Sequence, residues 1–488
     1  MPNKLLMLAA STVLLAYPAS LWAGKEKADL IIRHVTVVDV GDASTLPDQA
    51  VVIRGDSIAA VGADKDIVRH WQGKEKVDAR GRYIIPGLWD MHVHFGGGPE
   101  LIEENKALLP LYIDNGVTTV RDCSGDLPYD VLQWRSDIAD GRLFGPTLYS
   151  SGPKIEGIKP VWKGTLEAGT EADVDAAIAK LKELKVDFVK ITDSTLEPKL
   201  YLYAIGKARR EGFLVSGHIP YAETINSAVN AGMSSIEHLD YAFKAGVRDE
   251  AKLAQEFAAG RMTRADVQGR IDSGFDPATA HAAYTNLARH KVAVSPTLSI
   301  SRTIAYLDKD DHQDDPELAY IGPKLRATYQ WRVDRAAKAT PAEREARHQH
   351  FEQMAAILPM LTKAGVTIMA GTDAGFLNSY DYPGFALHDE MALYIRYGMS
   401  PAEALQSATQ AGPQWFGKSD RYGEVEQGKA ADLVLLDRNP LEDIKATKSI
   451  NTVVLRGKVH NRAALDAMLS KAKTQVKVWN EAEKSAAK

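Results

Sequence analysis

Pro86-Gly87-Leu88-Trp89-Asp90-Met91-His92-Val93-His94 is the stretch on which the fold turns. A proline–glycine entry leads into an apolar run that ends in two histidines at i and i+2. On a β-strand such residues share a face, so both imidazoles can reach one metal ion. Two ordinary polar residues at an exposed strand end would read the same way, and the pair alone leaves both readings open. Its place at the carboxyl end of a strand favours the metal, because active sites of parallel βα barrels sit at that end.

Outward from this strand, seven more short apolar segments follow, each trailed by a longer stretch of helical period. They lie at 117–122, 147–151, 188–192, 214–218, 235–239, 292–296 and 367–372. With 88–94 they make eight strand–helix units over roughly 300 residues, which predicts an α/β protein built on a (β/α)8 TIM-type barrel across 86–423. Within it, 244–290 and 302–363 are charged and alanine-rich and read as helices and insertions forming part of a lid. Upstream, 29–39, 49–53 and 57–62 are rich in β-branched residues around a Gly55-Asp56 turn, and 431–437 and 452–460 repeat that pattern downstream. The two ends are therefore expected to build one small β-sandwich, 24–85 with 424–462. The remainder, 463–488, reads as a polar helix or tail.

The 488 residues are 45% hydrophobic and 25% charged with a net charge of -5, an ordinary globular composition. No Lys/Arg run is long enough to track phosphates, which argues against a nucleic-acid partner. Lys4, the apolar stretch 5–15 and Ala19-Ser20-Leu21-Trp22-Ala23 read as a secretory signal peptide over 1–23. The apolar stretch is shorter than the ~20 residues of a spanning helix and meets Pro18, so no stable membrane anchor is expected. The expectation is a secreted, periplasmic protein. Cys123 is the only cysteine, so no intramolecular disulfide can form and stability must come from the core or from metals.

Other strand ends carry ligand-type side chains too. Strand five closes on His218, strand six on His238, and Ala370-Gly-Thr-Asp-Ala-Gly375 presents Asp373 between glycines that let the backbone turn beneath it. A lone histidine there is usually an ordinary polar residue, and a lone aspartate often caps the next helix. Four strand ends so equipped together outweigh those separate readings. Lys190, near the end of the apolar run 186–192, is the odd member. An ammonium beside divalent cations is repelled, and burial drives it toward neutrality. A neutral amine can take up carbon dioxide to form an anionic carbamate whose two oxygens can bridge two metals. The alternative is a lysine that snorkels outward or pairs with Asp193. Beside the histidines the carbamate is favoured.

Taken in order, PGLWDMHVH (86–94), TTVRD (118–122), DFVKI (187–191), AGMSSIEH (231–238), AGTDAG (370–375), GMSPAEALQSAT (398–409) and EVEQGKAADLVLLDRNPLEDI (424–444) resemble the amidohydrolase superfamily. Within it the chain is similar to the imidazolonepropionase-related, Xaa-Pro-dipeptidase-like members, from about Asp29 to His460. The resemblance implies two divalent metals, usually zinc, and four imidazoles favour zinc over magnesium or calcium. His92 and His94 would hold one metal, His218 and His238 the other, and carboxylated Lys190 would bridge them. Asp373 would bind the first metal and act as general base. Two metals ~3.5–4 Å apart bring a bridging water to ionise near neutrality. The implied reaction is hydrolysis of an amide C–N bond by the metal-bridging hydroxide, Asp373 passing its proton to the leaving amine. One departure is Gly217-His218-Ile219-Pro220, where close relatives often carry a second histidine shortly after the ligand.

For the substrate, Arg121 at the end of strand two could meet a carboxylate or be structural, paired with Asp122 or another acid. Tyr241 could hydrogen-bond a substrate oxygen or simply pack at the rim. The loop 375–384, with Phe376, Tyr380 and Tyr382, suggests an apolar or aromatic group. An Xaa-Pro dipeptide or an N-acyl amino acid fits both the loop and the family. Two other readings compete: a mononuclear deaminase or lactam/ester hydrolase on the same barrel, which would not need Lys190, and a non-catalytic barrel, which need not retain all six ligand-type residues. The expected partner is a small molecule or dipeptide, and a homo-oligomer is left open.

Overall fold

The computed structural model describes residues 25–486, and the expected signal peptide lies outside them. Alternating apolar residues build the first sheet. Strand β1 (Glu26–Asp39) turns Leu30, Ile32, Val35 and Val37 into one core and Ile31 into another. Strand β2 (Ser44–Arg54) answers with Val51 and Ile53 against Ala50 and Val52, and β3 (Ser57–Ala63) follows a turn at Gly55, φ 63°. Because β1 is 14 residues long and irregular around His34 (φ 55°), its first half carries β4 (Trp71–Asp78) and its second half β5 (Tyr83–Pro86).

The middle of the chain is parallel. Strands β6 (Leu88–Val93), β7 (Val117–Asp122) and β8 (Thr147–Ser150) form a three-stranded sheet. Strands β9 (Lys154–Glu156), β10 (Thr165–Glu167), β11 (Val189–Ile191), β12 (Val215–Gly217), β13 (Ser235–Glu237) and β14 (Ala293–Ser295) form a second, in the order β10-β9-β11-β12-β13-β14. Strands β6, β7 and β11 to β14 are buried along their whole length, as strands covered on both faces must be. Helices pack around them. Glu171–Glu183, opened by a capping box between Thr170 and Asp173, turns Val174, Ile178 and Leu181 inward.

The expected continuous ladder of eight strands is interrupted twice. At the third position Gly152 (φ 59°) breaks the strand. Ser150 accepts a hydrogen bond from the Asp187 amide, and pairing with β11 passes to β9. The eighth segment, expected at 367–372, is not a regular strand. Ile368 bridges Val294 on one side and Ala374 bridges Val93 on the other, with Asp373 between them in a left-handed conformation (φ 66°).

Strands β15 (Leu433–Leu436), β16 (Ile450–Leu455) and β17 (Lys458–Asn461) then return to the first sheet, β15 antiparallel to β5 with Leu433 opposite Pro86. In place of two facing sheets, the ends share one mixed eight-stranded sheet, β17-β16-β15-β5-β1-β2-β3 with β4 beside β1. Hydrogen bonds between Ile58 and residues 428–429 curl it, so that Leu30, Ile58, Leu433 and Leu435 share a core. The other face of β15, Val434 and Leu436, belongs to the core of the parallel part. The helix Arg462–Ala486 follows, anchored by Arg462 to Asp114 at 2.6 Å. Among the described residues no helix is long and apolar enough to cross a membrane.

Candidate metal centre

The carboxyl ends of β6, β11, β12 and β13 and the segment after Ile368 meet at one cavity of about 380 Å³. His94, Lys190, His218, His238 and Asp373 line it, and His92 lies just beneath, fully buried. His92 Nε2 and His94 Nε2 are 3.1 Å apart, and His218 Nε2 and His238 Nε2 are 3.2 Å apart. Asp373 Oδ1 stands 2.9 Å from His94 Nε2 and 3.3 Å from His92 Nε2. Donor atoms of His92, His238 and Asp373 all lie within 4.8 Å of one another.

The opposite ring nitrogens decide what these couples can do. His94 Nδ1 donates to the Ser124 carbonyl at 2.7 Å, and a carbonyl can only accept, so His94 Nε2 of the neutral ring bears a lone pair. His218 Nδ1 faces Asp193 Oδ1 at 3.1 Å, His92 Nδ1 lies 2.8 Å from Glu237 Oε2, and His238 Nδ1 meets the Thr297 hydroxyl at 2.8 Å. Burial, with the charge of Lys190 next, holds His92 and His218 below the usual imidazole range. Burial also takes His238 down to about 4. His94 and His218, whose Nδ1 atoms face groups that only accept, thus turn an Nε2 lone pair toward His92 and His238 respectively when neutral, an arrangement that a cation between the rings would satisfy. The donor set therefore fits metal ions.

Lys190 adds to this fit. It is 1% exposed and its Nζ has no hydrogen-bond partner among the described residues. It neither snorkels out nor pairs with Asp193, whose oxygens go to His218 and the Tyr241 hydroxyl. A buried ammonium without a partner is costly unless it is neutralised or modified. Burial alone would raise the Asp373 carboxyl, but at a pH low enough to charge them the imidazoles of His92, His94 and His238 more than offset this and hold it well below the usual carboxylate range.

Local sequence explains the closeness of approach. A Cβ at Gly371 would fall 2.9 Å from both the backbone nitrogen and the Cβ of His92, and one at Gly375 (φ 149°) would fall 2.1 Å from the His94 carbonyl oxygen. Only glycine lets the Asp373 turn press against β6 in this way.

Arg121 does not reach the cavity. It is fully buried, donates to Glu237 Oε2 at 2.7 Å and lies over the rings of Trp415 and Phe188, so a substrate contact is excluded and its partner is Glu237, not Asp122. Glu237 also accepts from Ser216 and Ser235, each at 2.7 Å. Tyr241 lines the cavity, stacked on His218 at 5.4 Å. Of the three aromatics of loop 375–384 only Phe376 lines it. Tyr380 and Tyr382 turn away, stacking on His312 and donating to Asp315. Sequence reasoning missed Glu237, although it adjoins His238, and missed Asp193 as the partner of His218. It also missed Lys154, Trp162 and Arg332, which complete the cavity walls.

The profile of the amidohydrolase family matches residues 83–460. An ochratoxinase of Aspergillus niger is 23% identical over 459 residues, 87% of this chain and 84% of that protein. An imidazolonepropionase of Anaeromyxobacter sp. (strain K) is 23% identical, across 91% of this chain and 98% of the relative. Among solved structures, a Xaa-Pro dipeptidase with bound methionine in the active site superposes with a TM-score of 0.64 at 21% identity, covering 88% of this chain and 99% of that one. The chain belongs to the amidohydrolase family and is a hydrolase acting on carbon–nitrogen bonds.

Proposed function

We propose that this chain cleaves the amide bond of an Xaa-Pro dipeptide or an N-acyl amino acid with the help of two divalent metal ions, zinc by preference. The observation that carries the reading is the two facing Nε2 couples beside an unpartnered, buried Lys190. His92, His94 and Asp373 would hold one metal and His218 and His238 the other, with carboxylated Lys190 serving both. When bound, the metals supply Lewis acidity and a water that ionises near neutral pH. Asp373, whose Oδ1 lies 2.9 Å from His94 Nε2, would take a proton from the attacking water and return it to the leaving amine. Glu237, held by Arg121, sets the orientation of His92, and Asp193 with Tyr241 sets that of His218. The two parallel sheets would form the wall of one (β/α)8 barrel, a reading supported by the hydrogen bonds of 367–374 to β14 and β6. Residues 24–85 and 424–462 would form its appended sheet domain, and 1–23 would direct the protein to the periplasm.

Metal analysis tests the centre. Two metals per chain are expected, falling to one or none in Lys190→Ala with the circular dichroism spectrum unchanged. One metal, unaffected by that change, would overturn the bridge and favour a mononuclear deaminase-type enzyme, to which the closeness of the His92, His238 and Asp373 donors would answer. Turnover of Xaa-Pro dipeptides or N-acyl amino acids in a substrate panel is expected. Two bound metals without activity on either class would sink the substrate assignment.

A further inference from the structure

Charge in the cavity is unevenly matched. Each carboxylate lining it has an occupation: Asp373 belongs to the metal centre proposed above, Asp193 faces His218 Nδ1 at 3.1 Å, and Asp240 faces His350 Nε2 at 2.9 Å. The basic side chains lining it, Lys154, Lys190, Arg332 and at the rim Arg264, have no carboxylate within 4.0 Å among the described residues. Three of the four have an evident occupation. Lys190 belongs to the metal centre proposed above. Arg332 donates to the Leu377 carbonyl at 2.9 Å and to Asn378 Oδ1 at 2.7 Å, and Asn378 in turn donates to the Asp373 carbonyl, so it braces the loop behind Asp373. Arg264 lies 5.8 Å over the Tyr221 ring.

Lys154 has no such task. It is 6% exposed and makes no hydrogen bond with a described residue, its Nζ standing 5.2 Å over the ring of Trp162. A ring face steadies the charge but satisfies none of the three N–H donors. The fold delivers the side chain deliberately close to the centre. Left-handed Gly152 ends β8 and redirects the chain into β9, which Lys154 opens, and Trp162 stands on the loop from β9 to β10. Burial, with Lys190 next, lowers its pKa to about 8, so the ammonium still predominates at neutral pH.

We infer that Lys154 is the seat of a substrate carboxylate, and that the cavity selects anionic substrates whose apolar neighbouring group lies against Trp162. The inference extends the amide-hydrolase reading to its substrate class, but the seat itself does not depend on which bond is cleaved.

The experiment is therefore a binding one. N-acetyl-L-phenylalanine and N-acetyl-L-phenylalaninamide, identical but for the carboxylate, are titrated calorimetrically into the metal-loaded full chain, its Lys154→Met and its Lys154→Arg variants. The acid is expected to bind the parent at least tenfold more tightly than the amide. Lys154→Met should erase that preference by weakening the acid alone, and Lys154→Arg should retain most of it. No preference in the parent, including no binding of either probe, overturns the inference. So does a preference that survives in Lys154→Met, or a loss that falls equally on acid and amide. Acid-selective binding without hydrolysis of any amide would leave the seat standing while the proposed activity failed.

Discussion

Arg121 and Glu237 are both fully buried and meet at 2.7 Å, and Glu237 stands 2.8 Å from His92 Nδ1. Removing one partner of such a pair strands the other charge in a dry interior, at a cost of about 3–5 kcal/mol. Arg121→Met is expected to lower unfolding free energy by about that amount and to reduce metal content through His92, as read by urea denaturation and metal analysis. A loss under about 1 kcal/mol, the scale of an exposed pair, would contradict the assignment. This residue also marks a boundary of sequence reading. His92, His94, His218, His238, Asp373 and Lys190 are recognisable because each ends a short apolar run, and they do meet at one centre. Arg121 ends such a run too, yet it points beneath the site, and its partner lies 116 residues away along the chain. Strand position reveals that a side chain is near an end, whereas its partner depends on which strand lies alongside. Lys154 was missed for a related reason: the break at Gly152 that delivers it carries no periodic signal.

At the level of elements, the helix Ala386–Arg396 is fastened by His388, whose Nδ1 pairs with the Thr447 hydroxyl at 2.9 Å and Nε2 with the Asn115 carbonyl at 3.1 Å. Burial, with Lys448 next, depresses its pKa from 6.5 to about 3. The unfolded chain therefore binds this proton first as pH falls. The stabilisation is complete above about pH 6.5 and is lost progressively down to about pH 3, with a slope of up to about 1.4 kcal/mol per pH unit. His388→Gln is expected to flatten that part of the profile of unfolding free energy against pH, and an unchanged slope would refute it. The eighth strand shows why elements are harder to read than residues. Its apolar run is plain, but the left-handed turn at Asp373, which Gly371 and Gly375 let press on β6, leaves it only isolated bridges at Ile368 and Ala374. The long first strand was equally plain as a strand. Its division of labour between β4 and β5 arises from the irregularity at His34, which composition does not announce.

For the whole molecule, the informative strand is β15. One face, Leu433 and Leu435, fills the core of the curled sheet, and the other, Val434 and Leu436, fills that of the parallel part. The two parts should thus melt together. A chain ending at residue 423 is expected to show no cooperative unfolding transition by calorimetry, and a sharp transition near that of the full chain would exclude this coupling. The same pairing also sets a timetable. Register places Leu433 opposite Pro86, so the open edge of β5 waits for a partner that ribosomes make only after the entire intervening catalytic part. Closing so long a loop adds only logarithmically to the entropic cost, but contacts so distant in sequence slow the search. In the meantime β5 presents unpaired backbone groups that any extended strand could capture. Biosynthesis of this protein thus has a vulnerable interval that ends when β15 docks, and aggregation during expression should be most sensitive to changes that delay that docking.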